Sequence, residues 1–260
     1  MLTGELDRVR RLLEAAKAIT VLTGAGISTD SGIPDFRGPN GLWTKNPAAE
    51  RMSDLSHYLN DPEVRRRAWQ SRKTHPAWTA EPNTGHLALV DLERSGRLVS
   101  LLTQNIDGLH QRAGSSPDLV VELHGTIWAV ECMDCGARTR MADQLDRVSD
   151  ETPDPPCEAC GGILKSATIS FGQQLNPRVI DRAVRAAQSC DLFLAIGSSL
   201  TVHPAAGMCG LAIEAGAPLV VLNAQETPYD DVAEAVLRGP IGEILPALTR
   251  DLATTSRSTG

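Results

Sequence analysis

Ile19-Thr20-Val21-Leu22-Thr23 is a β-branched run of the length of a buried strand, and a Gly24-Ala25-Gly26 turn follows it at once. This pairing constrains the fold more than any other feature of the chain. An apolar strand of that kind belongs in a parallel sheet covered on both faces. Three more short runs share its character: Leu98 to Thr103, Leu192 to Ile196 and Leu219 to Leu222. Each is preceded by a stretch of helical spacing, over roughly 84–94, 177–189 and 205–215. The first strand likewise follows Leu6, Val9, Leu13 and Ala16, spaced by three and four on one helical face. The alternation predicts an α/β fold, a Rossmann-like parallel sheet with helices on both faces. Such sheets bind ligands beyond the carboxyl ends of their strands, which is where the glycine turn stands.

Two regions break the rhythm. From Gly32 to about Arg72 the chain is polar and rich in turns, then helical around Asp61 to Ser71. From Cys132 to Cys160 it is short-range, with Pro153, Pro155 and Pro156 near its end. The expected organisation is a large domain in three parts (1–44, 81–128 and 166–252), interrupted by a helical insertion over 45–80 and a zinc-binding module over 129–165. The tail 253–260 has no apolar periodicity and is expected to be disordered.

Four of the six cysteines fall in two identical spacings, Cys132-Met133-Asp134-Cys135 and Cys157-Glu158-Ala159-Cys160. Two residues between thiols let one tight turn present both sulfurs to a single ion, and two such turns complete a tetrahedron. The alternatives are two unrelated reduced pairs or one disulfide. Four thiolates leave no open coordination position, so a Zn2+ ion here is expected to be structural, one per chain.

Charge narrows the partners. The chain carries 25 Lys and Arg against 32 Asp and Glu, a formal net charge of −7. That balance argues against a nucleic-acid or anionic-membrane partner for the whole chain. The cysteine lobe itself holds Glu131, Asp134, Asp143, Asp146, Asp150, Glu151, Asp154 and Glu158, poor company for phosphate. No stretch approaches the roughly 18 to 20 apolar residues of a membrane span, and the N-terminus lacks the continuous apolar core of a secretory signal. A cytoplasmic monomer is the expectation.

The segment from Gly24 to Gly38 is the densest functional signal. Its glycines let backbone N–H groups approach a pyrophosphate, and Ser28 adds a hydroxyl. The spacing departs from GxGxxG, because the glycine after Gly26 is Gly32. Pro34-Asp35-Phe36-Arg37 then sets a carboxylate, a ring and a guanidinium on one loop, read either as a solvated turn or as a mobile cover over the ligand. Thr103-Gln104-Asn105-Ile106-Asp107-Gly108-Leu109-His110 ends a strand with amide and carboxylate side chains. His124 follows another β-rich run, Val120-Val121-Glu122, and is one of six histidines (57, 75, 86, 110, 124 and 203); a lone histidine is more often structural.

Taken in order, GAGIS…SGIPDFRG at 24–38, TQNIDGLH at 103–110, HG at 124–125, the two CxxC pairs, FG at 171–172, GSSL at 197–200 and VLNA at 221–224 resemble the Sir2 (sirtuin) family of NAD-dependent protein deacylases, bacterial type. The resemblance covers about residues 5 to 250. It implies that His124 is the catalytic base, with Asn105 beside it, and that Cys132, Cys135, Cys157 and Cys160 are the zinc ligands. It implies that Gly24, Ala25, Gly26, Ser28, Gly197, Ser198 and Ser199 hold the phosphates and adjoining ribose of NAD. Asn223, Ala224 and Gln225 would hold the adenosine ribose, with Ile241 near the adenine. Ile33, Asp35, Gln104, Asn105, Ile106 and Asp107 would form the nicotinamide side, and Phe36, Arg37 and Trp43 join the cofactor-binding set. Ile169, Phe171 and Gly172 would carry a protein substrate's acylated lysine. Three positions depart from the family's pattern: Lys165-Ser166 where Arg-Pro is frequent, Ser170, and Gln173 where glutamate is common. The implied reaction transfers the acyl group of lysine to ADP-ribose, releasing nicotinamide. A mono-ADP-ribosyltransferase and a non-catalytic NAD or zinc scaffold are the alternatives. His124 argues against the first and the set Asn105, Asp107 and His124 against the second.

Overall fold

A computed structural model describes residues 2–36, 38, 41–45, 51–250 and 252. Arg37 and the tail from 253 therefore lie outside the described residues, as does the side chain of Trp43.

Six strands form one parallel sheet: β1 (Ile19–Thr23), β2 (Leu98–Thr103), β3 (Val120–Glu122), β7 (Leu192–Ile196), β8 (Leu219–Leu222) and β9 (Ala235–Leu237), in the order β3-β2-β1-β7-β8-β9. The four runs expected as strands are strands with those bounds. Thr23 of β1 is level with Thr103 of β2 and with Ile196 of β7. The order reverses beside β1, so the loops leaving β1 and β7 open a crevice at the carboxyl end of the sheet.

Side chains alternate across each strand, and the two faces carry separate cores. Ile19, Val21, Leu101 and Ile196 pack with Val9 and Leu13 of α1 (Leu2–Ala15), Leu89 of α3 (Thr84–Arg94) and Leu248 of α6 (Ile241–Thr249). Leu22, Leu102, Phe193 and Val221 pack with Ala183 and Ala187 of α4 (Pro177–Ser189) and with Met208 and Ala212 of α5 (Gly207–Glu214). Both faces of the central strands are dry, which is why those strands read as unbroken apolar runs.

A second, antiparallel sheet, β5-β4-β6, joins β4 (Gly125–Cys132), β5 (Arg138–Arg140) and β6 (Leu164–Thr168). The helix expected near 61–71 is α2 (Pro62–Lys73), started by Asp61, whose side chain accepts from the Glu63 N–H, with proline in the first turn. Its Trp69 is fully buried with Val130, Met141, Val148 and Leu164 of the small sheet's core. Arg65 pairs with Asp154 at 2.6 Å, and the Tyr58 hydroxyl donates to the Leu164 carbonyl at 2.8 Å. Arg72 stacks on Tyr58 and Trp69 and donates to Ser166 Oγ at 3.0 Å. The buried Lys165 donates to the Ser166 and Thr168 carbonyls.

Strand β9 and helix α6 were not expected. Pro246 sits inside α6 and reads as a breaker, since it withdraws the N–H that Gly242 would accept. The Thr84 hydroxyl donates to that Gly242 carbonyl instead, at 2.7 Å. Among the described residues no helix is long and apolar enough to cross a membrane.

Candidate active site

The crevice is built from backbone brought very close. A Cβ on Gly26 would lie 2.8 Å from Gly197 Cα, and a Cβ on Gly197 would lie 2.6 Å from the Ile27 nitrogen. Only glycines allow the turn after β1 to touch the loop after β7, where the Gly26 N–H donates to the Gly197 carbonyl at 2.8 Å. Ile241, at the start of α6, lies against the same junction, its Cδ1 3.0 Å from where a Gly197 Cβ would stand. Gly24, Ala25, Gly26, Gly197, Ser198, Ser199 and Ile241 are thus gathered from three distant parts of the chain. Asn223, Ala224 and Gln225 leave the end of the neighbouring β8, where Asn223 Nδ2 donates to the Gln225 carbonyl at 2.9 Å.

Below the crevice runs a buried polar network. Ser28 donates to Asp107 Oδ2 at 2.8 Å and accepts from Asn105 Nδ2 at 3.1 Å. The Leu109 N–H holds the other oxygen, Oδ1, at 2.9 Å. Burial raises the Asp107 pKa, and these donors act against that rise. Because its NH2 is committed to Ser28, Asn105 has Oδ1 to offer as an acceptor. His86 Nδ1 accepts the Asn83 N–H in a capping box, so Nε2 carries the proton and faces Ser28 Oγ at 3.5 Å. His110 stacks on His86 at 5.0 Å and meets Thr23 Oγ1 at 2.9 Å. Thr23 in turn donates to Thr103 Oγ1, which accepts the Asn105 N–H at 3.1 Å. Burial holds His86 down at about 4 and His110 at about 3, so both rings are neutral at physiological pH. Sequence reasoning left His86 and His110 among the structural histidines; the spacing Asn83-x-x-His86, a helix-capping pattern, was the available signal.

His124 stands in the turn between β3 and β4. Its Nδ1 lies 3.1 Å from the Gln104 carbonyl, an acceptor only, so the proton sits on Nδ1 and Nε2 keeps its lone pair. Burial lowers the ring's pKa, and the bond to Gln104 opposes the shift. The ring is partly buried but lies outside the apolar cores. Gln104 also donates to Ser198 Oγ at 2.8 Å, which ties His124 to the loop after β7. Gly125 has φ +71, and a Cβ there would lie 2.1 Å from the Ala167 carbonyl. That glycine lets β6 pass directly behind the histidine turn.

The segment after β6 continues past the same histidine. The Ile169 N–H donates to the His124 carbonyl at 2.8 Å, and Phe171 pairs with the backbone of Ser53 and Leu55. Phe171 remains 39% exposed, a large apolar ring held at the surface. Gln173 departs from the family's glutamate, yet its Oε1 accepts the Ser170 N–H at 3.1 Å and so closes the turn through Gly172. Ile33 and Asp35 follow the glycine turn: the Ile33 N–H donates to the Ser28 carbonyl and Asp35 accepts from the Gly38 N–H at 2.9 Å. Phe36 is 39% exposed on the same loop.

At the tip of the small sheet the four cysteine sulfurs lie within 4.8 Å of one another. Cys132–Cys160 and Cys135–Cys157 are 3.5 and 3.8 Å apart. Zn–S bonds of about 2.3 Å place sulfurs about 3.8 Å apart in a tetrahedron, whereas a disulfide needs about 2.05 Å. The set fits zinc and excludes disulfides among these four.

Fold and site together define a dinucleotide-binding α/β enzyme class with a zinc module grafted beside the crevice. The Sir2 family model matches residues 24–204. The chain is 53% identical over 234 residues to NAD-dependent protein deacetylase 2 of Streptomyces coelicolor, covering 90% of this chain and 97% of that one. It is 43% identical to NAD-dependent protein deacetylase 1 of Bradyrhizobium diazoefficiens, covering 92% and 93%. Among solved structures it resembles a Sir2 protein with deacetylated p53 peptide and 3'-O-acetyl ADP-ribose, with a TM-score of 0.87 at 32% identity over 95% of this chain and 98% of that one. A Sir2 homologue in complex with NAD gives 0.84 at 34% identity, covering 96% and 94%. The chain belongs to the Sir2 family.

Proposed function

We propose that the chain is an NAD-dependent protein-lysine deacetylase. The observation that carries this reading is the His124 ring. Its Nδ1 is held by the Gln104 carbonyl, which leaves Nε2 with a free lone pair, on a turn whose own carbonyl accepts the Ile169 N–H.

Bound NAD supplies a ribosyl carbon with nicotinamide as leaving group, so an acyl amide need not be attacked by water directly. Ala25, Gly26, Gly197 and Ser198 cradle the phosphates where only backbone fits. Asn105 Oδ1 orients a hydroxyl or water from below, its amide fixed by Ser28. His124 Nε2 takes a proton from a sugar hydroxyl brought against it, and a pKa below the ordinary imidazole value keeps that nitrogen free at neutral pH. Ile169, Phe171 and Gly172 lay out the acyl-lysine segment. Phe36 would shield the reacting carbon from water. The four cysteines would hold one structural Zn2+, and we read the site of action as cytoplasmic. We read the active unit as a monomer, with boundaries at 45–80 and 129–165 for the inserted small body.

Mass spectrometry of an acetyl-lysine peptide incubated with NAD tests the proposal. Loss of the acetyl mass with release of nicotinamide supports it. Gain of ADP-ribose on the peptide would replace it with transferase activity, and an unchanged peptide would defeat it. A panel from acetyl to succinyl and long-chain acyl groups ranks the acyl preference.

A further inference from the structure

Trp128 is used by neither of the two large cores, and 38% of its surface is exposed. It stands on β4, four residues after His124. Its indole Nε1–H donates to the Asp107 carbonyl at 2.7 Å. A Cβ on Gly108 would lie only 2.8 Å from that same nitrogen, so the indole sits flush on the turn. The ring also meets Trp78 in a T-shaped contact at 5.0 Å. Trp78 donates to the Arg72 carbonyl and packs against the core that holds Trp69 and Cys157. An unbroken chain of contacts therefore runs from the core of the cysteine lobe, through Trp78 and Trp128, to Asp107. Asp107 in turn takes the Ser28 proton donor on which Asn105 hangs.

We propose that Trp128 is a positioning residue for the nicotinamide half of the site, clamping the 104–108 turn to the small sheet. The proposal rests on the reading that this turn faces nicotinamide. Without the indole, the Asp107 carbonyl loses its donor, and the tie from β4 to the turn is reduced to the Ile127 N–H on the Ile106 carbonyl at 3.0 Å. ADP-ribose lacks nicotinamide, so it senses that turn only through Ser28 and Ser198, and its binding is expected to suffer less than that of NAD.

Calorimetric titration of the zinc-loaded full chain with NAD and with ADP-ribose provides the test. Trp128→Phe keeps an aromatic ring toward Trp78 while removing the N–H together with the five-membered ring that carries it. NAD affinity is expected to fall about five- to tenfold, as for loss of one buried hydrogen bond, with ADP-ribose affinity within about twofold of wild type. Trp128→Ala, which also uncovers Trp78, should widen the gap. KM for NAD should rise more than kcat falls. A parallel loss for both nucleotides, or no loss for either, would overturn the clamp while leaving the deacetylase reading standing. Wild-type protein that bound neither nucleotide would overturn that reading and the clamp together.

Discussion

Lowering the pH from 7 to 5.5 perturbs the network beneath the crevice at defined atoms. An imidazole in the unfolded chain titrates near 6.5. In the folded protein burial moves His86 to about 4 and His110 to about 3. At pH 5.5 each unfolded histidine therefore holds about 0.9 proton and each folded one almost none. Both folded pKa values are depressed, so this stabilisation is whole above 6.5 and is lost as the pH falls toward 4 and 3. Integrating from 7 to 5.5 gives a loss of roughly 1 kcal/mol per histidine, roughly 2–3 kcal/mol for the pair. His75, lowered to about 4 by burial, acts in the same sense, and the raised carboxyls of Asp107 and Glu122 oppose it.

A variant isolates the effect. Gln at position 110 can keep a donor toward Thr23 and cannot titrate. Urea unfolding of wild type and His110→Gln, followed by tryptophan fluorescence at pH 7 and 5.5, gives the difference directly. The variant should lose roughly 1 kcal/mol less than wild type across that interval, whatever its stability at pH 7. Zinc release and carboxyl titration are common to both proteins and cancel. Equal losses would refute the reasoning, because His110 would then be protonated alike in the folded and unfolded chains. Its Nδ1 has no hydrogen-bond partner among the described residues, so a proton placed there would be buried without an acceptor.

The remaining expectations concern chemistry and stability in turn. His124→Ala should lower kcat by at least about 100-fold with NAD affinity within about twofold, read by steady-state kinetics beside titration. In the wild type the acidic limb of the kcat/KM profile should have its midpoint below 6.5, since the lowered pKa of the free protein keeps Nε2 unprotonated as the pH falls. Ser28→Ala removes one partner each from Asp107, Asn105 and His86 and should cost about 2–4 kcal/mol in urea unfolding, with a higher KM for NAD. Gly125→Ala combines a positive φ with a collision against the Ala167 carbonyl; a loss of about 2 kcal/mol or more is expected, measured as a fall in Tm. Purified protein should contain one zinc by metal analysis, and chelation should lower Tm by about 5 °C or more.

What the chain reveals before folding follows from the range of each interaction. β1, β2, β7 and β8 are legible because both their faces are buried, which leaves a local apolar signature. The cysteine site is legible because two short turns carry all four ligands. α6 is hidden, since Pro246 is tolerated only through Thr84, a residue 158 positions from the carbonyl it satisfies. The His86–His110 pair is hidden for a similar reason. His86 shows locally only a capping pattern after Asn83, and His110 only its place at the end of TQNIDGLH; neither signal says that the two rings meet. Only the order β2-β1-β7 brings Thr23, Ser28, Asn105 and Asp107 against them.

That same sheet order explains why the small body sits where it does. His124 is positioned twice: from the large sheet through the Gln104 carbonyl, and from the small sheet through Ile169, whose N–H its own carbonyl accepts. Gly125 is the point where these two constraints meet, with β6 passing 2.1 Å from where a side chain would begin. A base anchored to one sheet alone would follow that sheet when the crevice opened. Anchored to both, the ring keeps its orientation only while the two bodies hold one relative position. On the proposed reading of His124 as the base, a Zn2+ ion held by the four cysteines would act on the reaction only through the geometry of β4 and β6, without touching the substrate.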